Sequence, residues 1–382
     1  MVDVKLFFEE IKDLGIDFFT GVPDSLLKDI CAYITSNSTE KEHIIAANEG
    51  NAVGLAIGHY LAKKKLSLIY LQNSGLGNVV NPLTSLADPL VYGIPMLIMI
   101  GWRGEISQDG DQIKDEPQHK KQGKITIQQL EILNIPYRII DKNTKTKKIL
   151  KELVKLSITT NNPVAILIRK GTFSKFELNN DNNSFGLISR ELAISKLIEF
   201  IPKDVPIVST TGKPSRELFE LRVKNKSGNF RDFLTVGGMG HASSIASGLA
   251  NSLGTKRVVC LDGDGALLMH TGALAISAKQ KNLIHIVLNN GAHDSVGGQP
   301  TEAINLKLDE IAEKFNYDFI YRAENEIQIE EIMKLVFHKK GSVFIEIICK
   351  KGSRSNLARP DKQPLENKNA FMSFIKKLSK NK

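Results

Sequence analysis

Cysteine is scarce in this 382-residue chain, with Cys31, Cys260 and Cys349 far apart in largely apolar sequence. No CxxC pair and no Cys/His metal spacing exists, which excludes a zinc finger, a disulfide scaffold or a dithiol redox motif. The three are expected to be small core residues in a reducing compartment. Long apolar runs are also missing. The longest, Ile94 to Ile100, has strand length and stops at Gly101, so no membrane-spanning helix is expected. Residues Met1 to Glu10 carry acids where a signal peptide needs an apolar stretch, which predicts a cytoplasmic location. Aromatic residues make up 7% and do not interleave with Arg or Lys. The net charge of +9 comes with lysines in short runs such as Lys63–Lys65 and Lys376–Lys377. Such runs read as solvated surface, not as a nucleic-acid interface. The resulting field favours small anionic ligands.

What is present is the composition of a globular protein, 42% hydrophobic and 24% charged. The length is too great for one ordinary core and predicts two domains. In the first half, helical spacing over Val4–Leu14 precedes a short strand at Asp17–Thr20. Asp24 or Ser25 is then placed to cap a helix running toward Tyr33. A strand at His43–Ala46, a small-residue helix Gly50–Lys63 and strands at Leu66–Leu71, Pro95–Ile100 and Val164–Ile168 follow. Residues 172–188, rich in Asn, Asp and Ser, interrupt the pattern and read as a linker. The alternation then restarts, with helices at Ser189–Phe200, Ser215–Leu221, Ala242–Leu253 and Leu267–Gln280. Strands are expected at Pro206–Ser209, Val258–Leu261, His285–Leu288 and Val343–Ile348, and a short amphipathic helix at Ala370–Leu378. Strands separated by helices predict an α/β fold of two consecutive doubly wound parallel-sheet domains, 1–171 and 189–382.

Two segments carry the chemistry. Val258 to Met269 runs from a buried strand through Gly263-Asp264-Gly265 into a helix, and Leu283 to Asn290 is a second strand ending in two amides. Glycines let a backbone approach a phosphate, and a helix start supplies free N–H groups. Asp264 and an Asn side-chain carbonyl are hard oxygen ligands for Mg²⁺. Both lie at carboxyl ends of strands, where open α/β sheets bind ligands. In the other half, Glu49 follows a strand and opens a helix of small residues.

The Gly-Asp-Gly…Asn-Asn pattern resembles the cofactor motif of the thiamine diphosphate (ThDP)-dependent enzymes. The resemblance implies a pyrimidine-binding domain followed by a diphosphate-binding domain, with ThDP and Mg²⁺ as cofactors. It makes Asp264 and Asn290 metal ligands, together with a backbone carbonyl at Ala292. Asn290 lies 26 residues after Asp264, about one short of the spacing expected in pyruvate decarboxylases, so Asn289 stays open as the alternative. Gly263, Gly265 and Ala266 would face the diphosphate, with Thr210 and Thr211 from Ser209-Thr-Thr-Gly212 beside it. Met239, 25 residues before Asp264, would wedge under the cofactor, and the Gly237 carbonyl would accept from its 4′-amino group. Glu49 resembles the catalytic Glu that exchanges a proton with N1′ of the aminopyrimidine. Many relatives have His before it, where this chain has Asn48. Gln72 to Asn78 resembles the Thr-Ser-Gly-Pro-Gly turn of the superfamily, with Asn73 in the Thr position.

Four further stretches resemble the phosphonopyruvate decarboxylases: Gly21 to Lys28, Gly101 to Glu105, Asp115 to Gly123 and Ser353 to Pro360. The likeness spans nearly the whole chain and implies no middle domain. It implies release of CO₂ from 3-phosphonopyruvate, giving phosphonoacetaldehyde for phosphonate biosynthesis. Sulfopyruvate decarboxylases, whose halves are often separate subunits, are the related alternative; one chain carrying both halves favours the phosphonate enzyme. A non-catalytic ThDP-fold subunit is a third reading, opposed by retention of Glu49, Asp264 and Asn290. A dianionic phosphonate needs cationic partners, for which Arg103, His119, Arg354 and Arg359 are the candidates. Asp24 and Ser25 would help seat substrate. The family implies a homo-oligomer, at least a dimer, with each site shared between chains.

Overall fold

A computed structural model describes residues 1–107, 109–178 and 186–380. The chain divides into two compact units, Met1–Asp181 with Val296–Gln299, and Asn182–Ser295 with Pro300–Lys382. Residues 179–185 of the expected linker lie outside the described residues.

The first unit runs α1 (Val4–Asp13), β1 (Phe18–Gly21), α2 (Lys28–Asn37), β2 (His43–Ile45), α3 (Glu49–Lys63), β3 (Ser67–Gln72), α4 (Leu76–Pro82), β4 (Leu97–Gly101), α5 (Pro117–Ile132), β5 (Tyr137–Ile140), α6 (Thr146–Thr160) and β6 (Val164–Ile168). The strands form one six-stranded sheet in the order β2-β1-β3-β4-β6-β5, and every pairing is parallel. Side chains alternate across a strand, and β3 shows the consequence. Leu68 and Tyr70 pack with α1, α2 and α6 on one face, whereas Ile69 and Leu71 pack with α3, α4 and α5 on the other. A strand buried on both faces must be apolar throughout, which is why these strands read as continuous hydrophobic runs. Each such side chain contributes roughly 1.5–3 kcal/mol.

The second unit runs β7 (Ile188–Ser189), α7 (Arg190–Phe200), β8 (Ile207–Ser209), α8 (Lys213–Lys224), β9 (Asp232–Leu234), α9 (Ala242–Leu253), β10 (Val258–Gly263), α10 (Asp264–Met269), α11 (Leu274–Ser277), β11 (Leu283–Asn289), α12 (Leu308–Lys314), β12 (Phe319–Ala323), α13 (Glu326–Val336), β13 (Val343–Lys350) and α14 (Pro364–Lys380). Its sheet is again parallel, in the order β12-β13-β11-β10-β8-β9, with β7 beside the end of β13. Helices α7, α8 and α13 cover one face, and α9 through α12 the other. All three cysteines are buried and unpaired. No described helix is long and apolar enough to cross a membrane.

Two local expectations are corrected. Neither Asp24 nor Ser25 caps α2; the helix starts at Lys28 with Leu27 in the cap position and no side-chain cap bond. Asp24 is instead wholly buried and turned to β3. The helix expected over Leu267–Gln280 is broken. It stops at His270, whose φ of −140° leaves the helical region, passes through a 3-10 turn at Thr271–Ala273 and resumes as α11. Thr271 and Gly272, both weak helix formers, sit at the break.

Candidate active site

Glu49 is the first residue of α3, placed at the carboxyl end of the first sheet by the Asn48 cap, whose side chain accepts from Asn51 N at 2.9 Å. The residue is 6% exposed. Asn78 Nδ2 donates to Oε2 at 2.7 Å. The other oxygen lies over Gly75, where a methyl group would land on the carboxylate. The glycine of the Gln72–Asn78 turn is thus required by the approach of Glu49. A carboxyl held at one oxygen by a neutral amide can use the other to carry a proton.

A second cluster lies at the carboxyl ends of β1, β3 and β4. Asp24 accepts from Gln72 Nε2 at 2.5 Å and Leu26 N at 3.0 Å. Burial raises its carboxyl above the ordinary range, against these hydrogen bonds and the charge of Arg103. Arg103 makes a two-pronged bond to Asp115, with Nε at 2.8 Å and Nη2 at 2.5 Å, and reaches Ser25 Oγ with Nη1 at 3.0 Å. Burial raises the Asp115 carboxyl, but Arg103 outweighs it and holds the group below the usual range. Asn73 is spent on structure: its amide donates to Arg103 O and Thr126 Oγ1, both at 2.9 Å, and accepts from Arg103 N at 3.2 Å. His119 lies on α5, buried. Burial and the nearby Arg103 push its imidazole down to about 4 against the opposing effect of Asp115, so the ring is neutral at pH 7. Asp24, Ser25, Arg103 and Asp115 therefore come together, but with the guanidinium already matched by a carboxylate.

In the second unit, β10 and β11 run side by side, with Gly263 opposite Leu288. That pairing brings the Gly263–Asp264 turn beside the Asn289–Asn290 end. Asp264 is 3% exposed and accepts from Thr301 Oγ1 at 2.5 Å. Burial pushes its carboxyl up to about 6, despite the hydrogen bonds from Thr301 and Gly265. A buried acid in that state gains from an adjacent cation. The two asparagines separate clearly. Asn289 is tied into the sheet, donating to the buried Glu346 at 2.7 Å, with its carbonyl accepting from Gly291 N at 3.1 Å. Asn290 donates to Asp294 Oδ2 at 2.6 Å, which turns its carbonyl the other way; among the described residues that oxygen meets only Ala292 N, at 3.4 Å. A carboxylate and an amide carbonyl suit Mg²⁺. Gly263 leaves room beside its backbone, since a Cβ there would find nothing nearer than Thr210 Cγ2 at 3.9 Å. Gly265 is crowded instead, its Cβ position lying 2.9 Å from the His293 ring. Ala266 and Ala292 are both buried, on α10 and in the loop after β11.

Thr210 and Thr211 follow β8, with Thr210 N bonded to Leu261 O at 2.8 Å. Gly237 and Met239 lie half-buried in the turn before α9, which Gly238 (φ 63°) and Gly240 (φ 87°) make possible. Among the described residues, Met239 belongs to none of the core clusters. Arg354 is held between two carboxylates, Glu191 at 2.9 Å and Glu220. Arg359 is exposed.

The residues not read from the sequence are those that hold the others. Asn78 stands inside the quoted turn and is recognisable there. Thr301 reaches Asp264 across 37 residues and Asp294 reaches Asn290 across 4, while Arg190 holds Asp294 across 104, and no local pattern marks them. Arg190 grips Glu217 with Nε at 2.8 Å and Nη2 at 2.9 Å and uses Nη1 for Asp294 at 2.8 Å.

Both units resemble known proteins. The thiamine pyrophosphate enzyme N-terminal TPP binding domain matches residues 3–130, and the corresponding C-terminal TPP binding domain matches 210–347. A phosphonopyruvate decarboxylase of Streptomyces viridochromogenes is 31% identical over 381 residues, covering 95% of this chain and 92% of that one. One of Streptomyces hygroscopicus is 29% identical, covering 98% and 94%. A sulfopyruvate decarboxylase of Methanosarcina acetivorans is 29% identical, covering 90% of each. Both cofactor domains and the full-length likeness lead to one conclusion: the chain is a ThDP-dependent decarboxylase and belongs to the phosphonopyruvate decarboxylase family.

Proposed function

We propose that the protein converts 3-phosphonopyruvate to phosphonoacetaldehyde and CO₂. The observation that carries this reading is the likeness to phosphonopyruvate decarboxylase along nearly the entire chain. Possession of both halves in one chain does not discriminate, because the Methanosarcina sulfopyruvate decarboxylase also spans both. Bound ThDP supplies an electron sink for the pair left when the carboxylate departs as CO₂. Glu49, its carboxyl fixed by Asn78, would be the group that holds and gives up a proton toward bound ThDP. The Gly237 carbonyl would hold the cofactor as a hydrogen-bond acceptor, and the Met239 side chain would support it as an apolar surface. Asp264, Asn290 and the Ala292 carbonyl would hold Mg²⁺, and Thr210 and Thr211 would contribute to holding the cofactor's diphosphate. Asp24, Ser25 and Arg103 order the substrate end of the site.

The same chemistry on sulfopyruvate is the second reading, supported by the Methanosarcina relative. Glu49 and Asp264 are proposed to serve one site from two copies of the chain; a fully active monomer in sedimentation would contradict that. Substrate choice is tested by measuring CO₂ release from both oxo acids with ThDP and Mg²⁺. A higher kcat/KM for phosphonopyruvate is expected, and preference for sulfopyruvate overturns the assignment.

A further inference from the structure

The phosphonate of such a substrate and the diphosphate of the cofactor both carry charge that needs a cation. Arg103 and Arg354 are each already matched by carboxylates. Lys213 is different. It opens the 12-residue helix α8, immediately after Thr210-Thr211-Gly212 at the carboxyl end of β8. Its backbone N–H donates to Ser295 Oγ at 3.2 Å, which anchors that turn to the loop following Asn290. Gly212, at φ 97°, has no room for a side chain against the same Ser295. The lysine is half-buried, and among the described residues its ammonium has neither a hydrogen-bond acceptor nor an ion-pair partner. The carboxylates near enough to act on it, Asp294 and Glu217, are both bound by Arg190. Burial, Arg216 and Arg190 together hold the ammonium below the usual lysine range. A cation that is partly desolvated and faces two guanidiniums is costly unless an anion joins it. Thr210, three residues before Lys213 in the same turn, borders the Gly263 turn, its Cγ2 lying 3.9 Å from where a Cβ on Gly263 would sit.

We propose that Lys213 is the cation of a phosphoryl-oxyanion subsite on the Thr210–Lys213 turn, taking either the substrate's phosphonate or the cofactor's diphosphate. Its substrate arm rests on the decarboxylation proposed above; the cofactor arm does not. The test uses full-length Lys213→Gln and Lys213→Arg proteins in two calorimetric titrations, one with ThDP and Mg²⁺ and one of the loaded protein with methylphosphonate. Loss of one charge-assisted hydrogen bond predicts that Lys213→Gln weakens at least one of the two by about tenfold or more. Lys213→Arg, which keeps the charge, is expected to restore most of it. Weakening of the ThDP titration alone assigns the diphosphate, and of methylphosphonate alone the phosphonate. Binding of both within twofold of wild type by a Lys213→Gln protein of unchanged melting temperature overturns the subsite. Equal losses in both variants would show packing, not charge, and overturn it too. Neither titration needs turnover, so an enzyme inactive on phosphonopyruvate leaves this test intact.

Discussion

Replacing Asp294 by Ala should damage the proposed metal site without touching a proposed metal ligand. Asp294 Oδ2 accepts from Asn290 Nδ2 at 2.6 Å and from Arg190 Nη1 at 2.8 Å, and Gly352 N donates to the carboxylate at 3.0–3.1 Å. Its side chain is 7% exposed and that of Arg190 4%. Removing one partner of a buried ion pair costs ~3–5 kcal/mol. Arg190 keeps Glu217, so the low end, about 3 kcal/mol, is expected. The second consequence concerns the Asn290 amide, which loses the bond that points its carbonyl away from Asp294. A ligand deprived of its orienting partner typically loses roughly 10–100-fold in metal affinity. Asp294→Asn should be milder, because one oxygen can still serve both Asn290 and Arg190. Urea denaturation measures the first effect, and the Mg²⁺ dependence of ThDP binding, followed by calorimetry, the second. An Asp294→Ala protein with Mg²⁺ affinity within twofold of wild type would refute the orienting role, whatever its stability.

Glu49→Gln should nearly abolish turnover while ThDP binding stays close to wild type by calorimetry; an unchanged kcat would remove Glu49 from the mechanism. Gly75→Ala places a methyl on the Glu49 carboxylate. Displacement on the ångström scale predicts a fall in kcat of about 100-fold, with a melting temperature showing that the fold survives. His43 donates to or accepts from Tyr70 Oη at 2.7 Å, and burial pushes its imidazole down to about 4. The unfolded chain protonates this residue below pH ~6.5 while the native state resists, so its contribution is complete above that pH and lost as pH falls toward 4. Discounted for partial exposure, the loss is on the order of 2 kcal/mol. His43→Gln should flatten the stability profile over that window; an unaltered slope would contradict the shift.

The parallel α/β architecture is legible in the sequence because strands buried on both faces have to be apolar. Helix α9 is read to its residue limits, Ala242–Leu253, since small residues face the sheet without interruption. The edge strands β5 and β12 are not legible. Their outer side chains are exposed, as at Arg138 and Arg322, and the apolar run is diluted. Helix α5 hides behind Gln118-His119-Lys120-Lys121-Gln122, a polar stretch with little apolar spacing. In the site, Glu49 and Asp264 stand out because local glycine patterns surround them. Arg103 is legible as a cation, but its neutralisation by Asp115 depends on the fold of the intervening loop. The choice between Asn289 and Asn290 likewise needs Glu346 and Asp294, which claim one amide each from opposite directions.

The most direct test of the central claim is a side-by-side measurement of CO₂ release from 3-phosphonopyruvate and sulfopyruvate by the full-length protein with ThDP and Mg²⁺. The account predicts turnover of phosphonopyruvate, a larger kcat/KM for it than for sulfopyruvate, and loss of both activities in Glu49→Gln. Preference for sulfopyruvate would contradict the substrate, and release of CO₂ from neither would contradict the function itself.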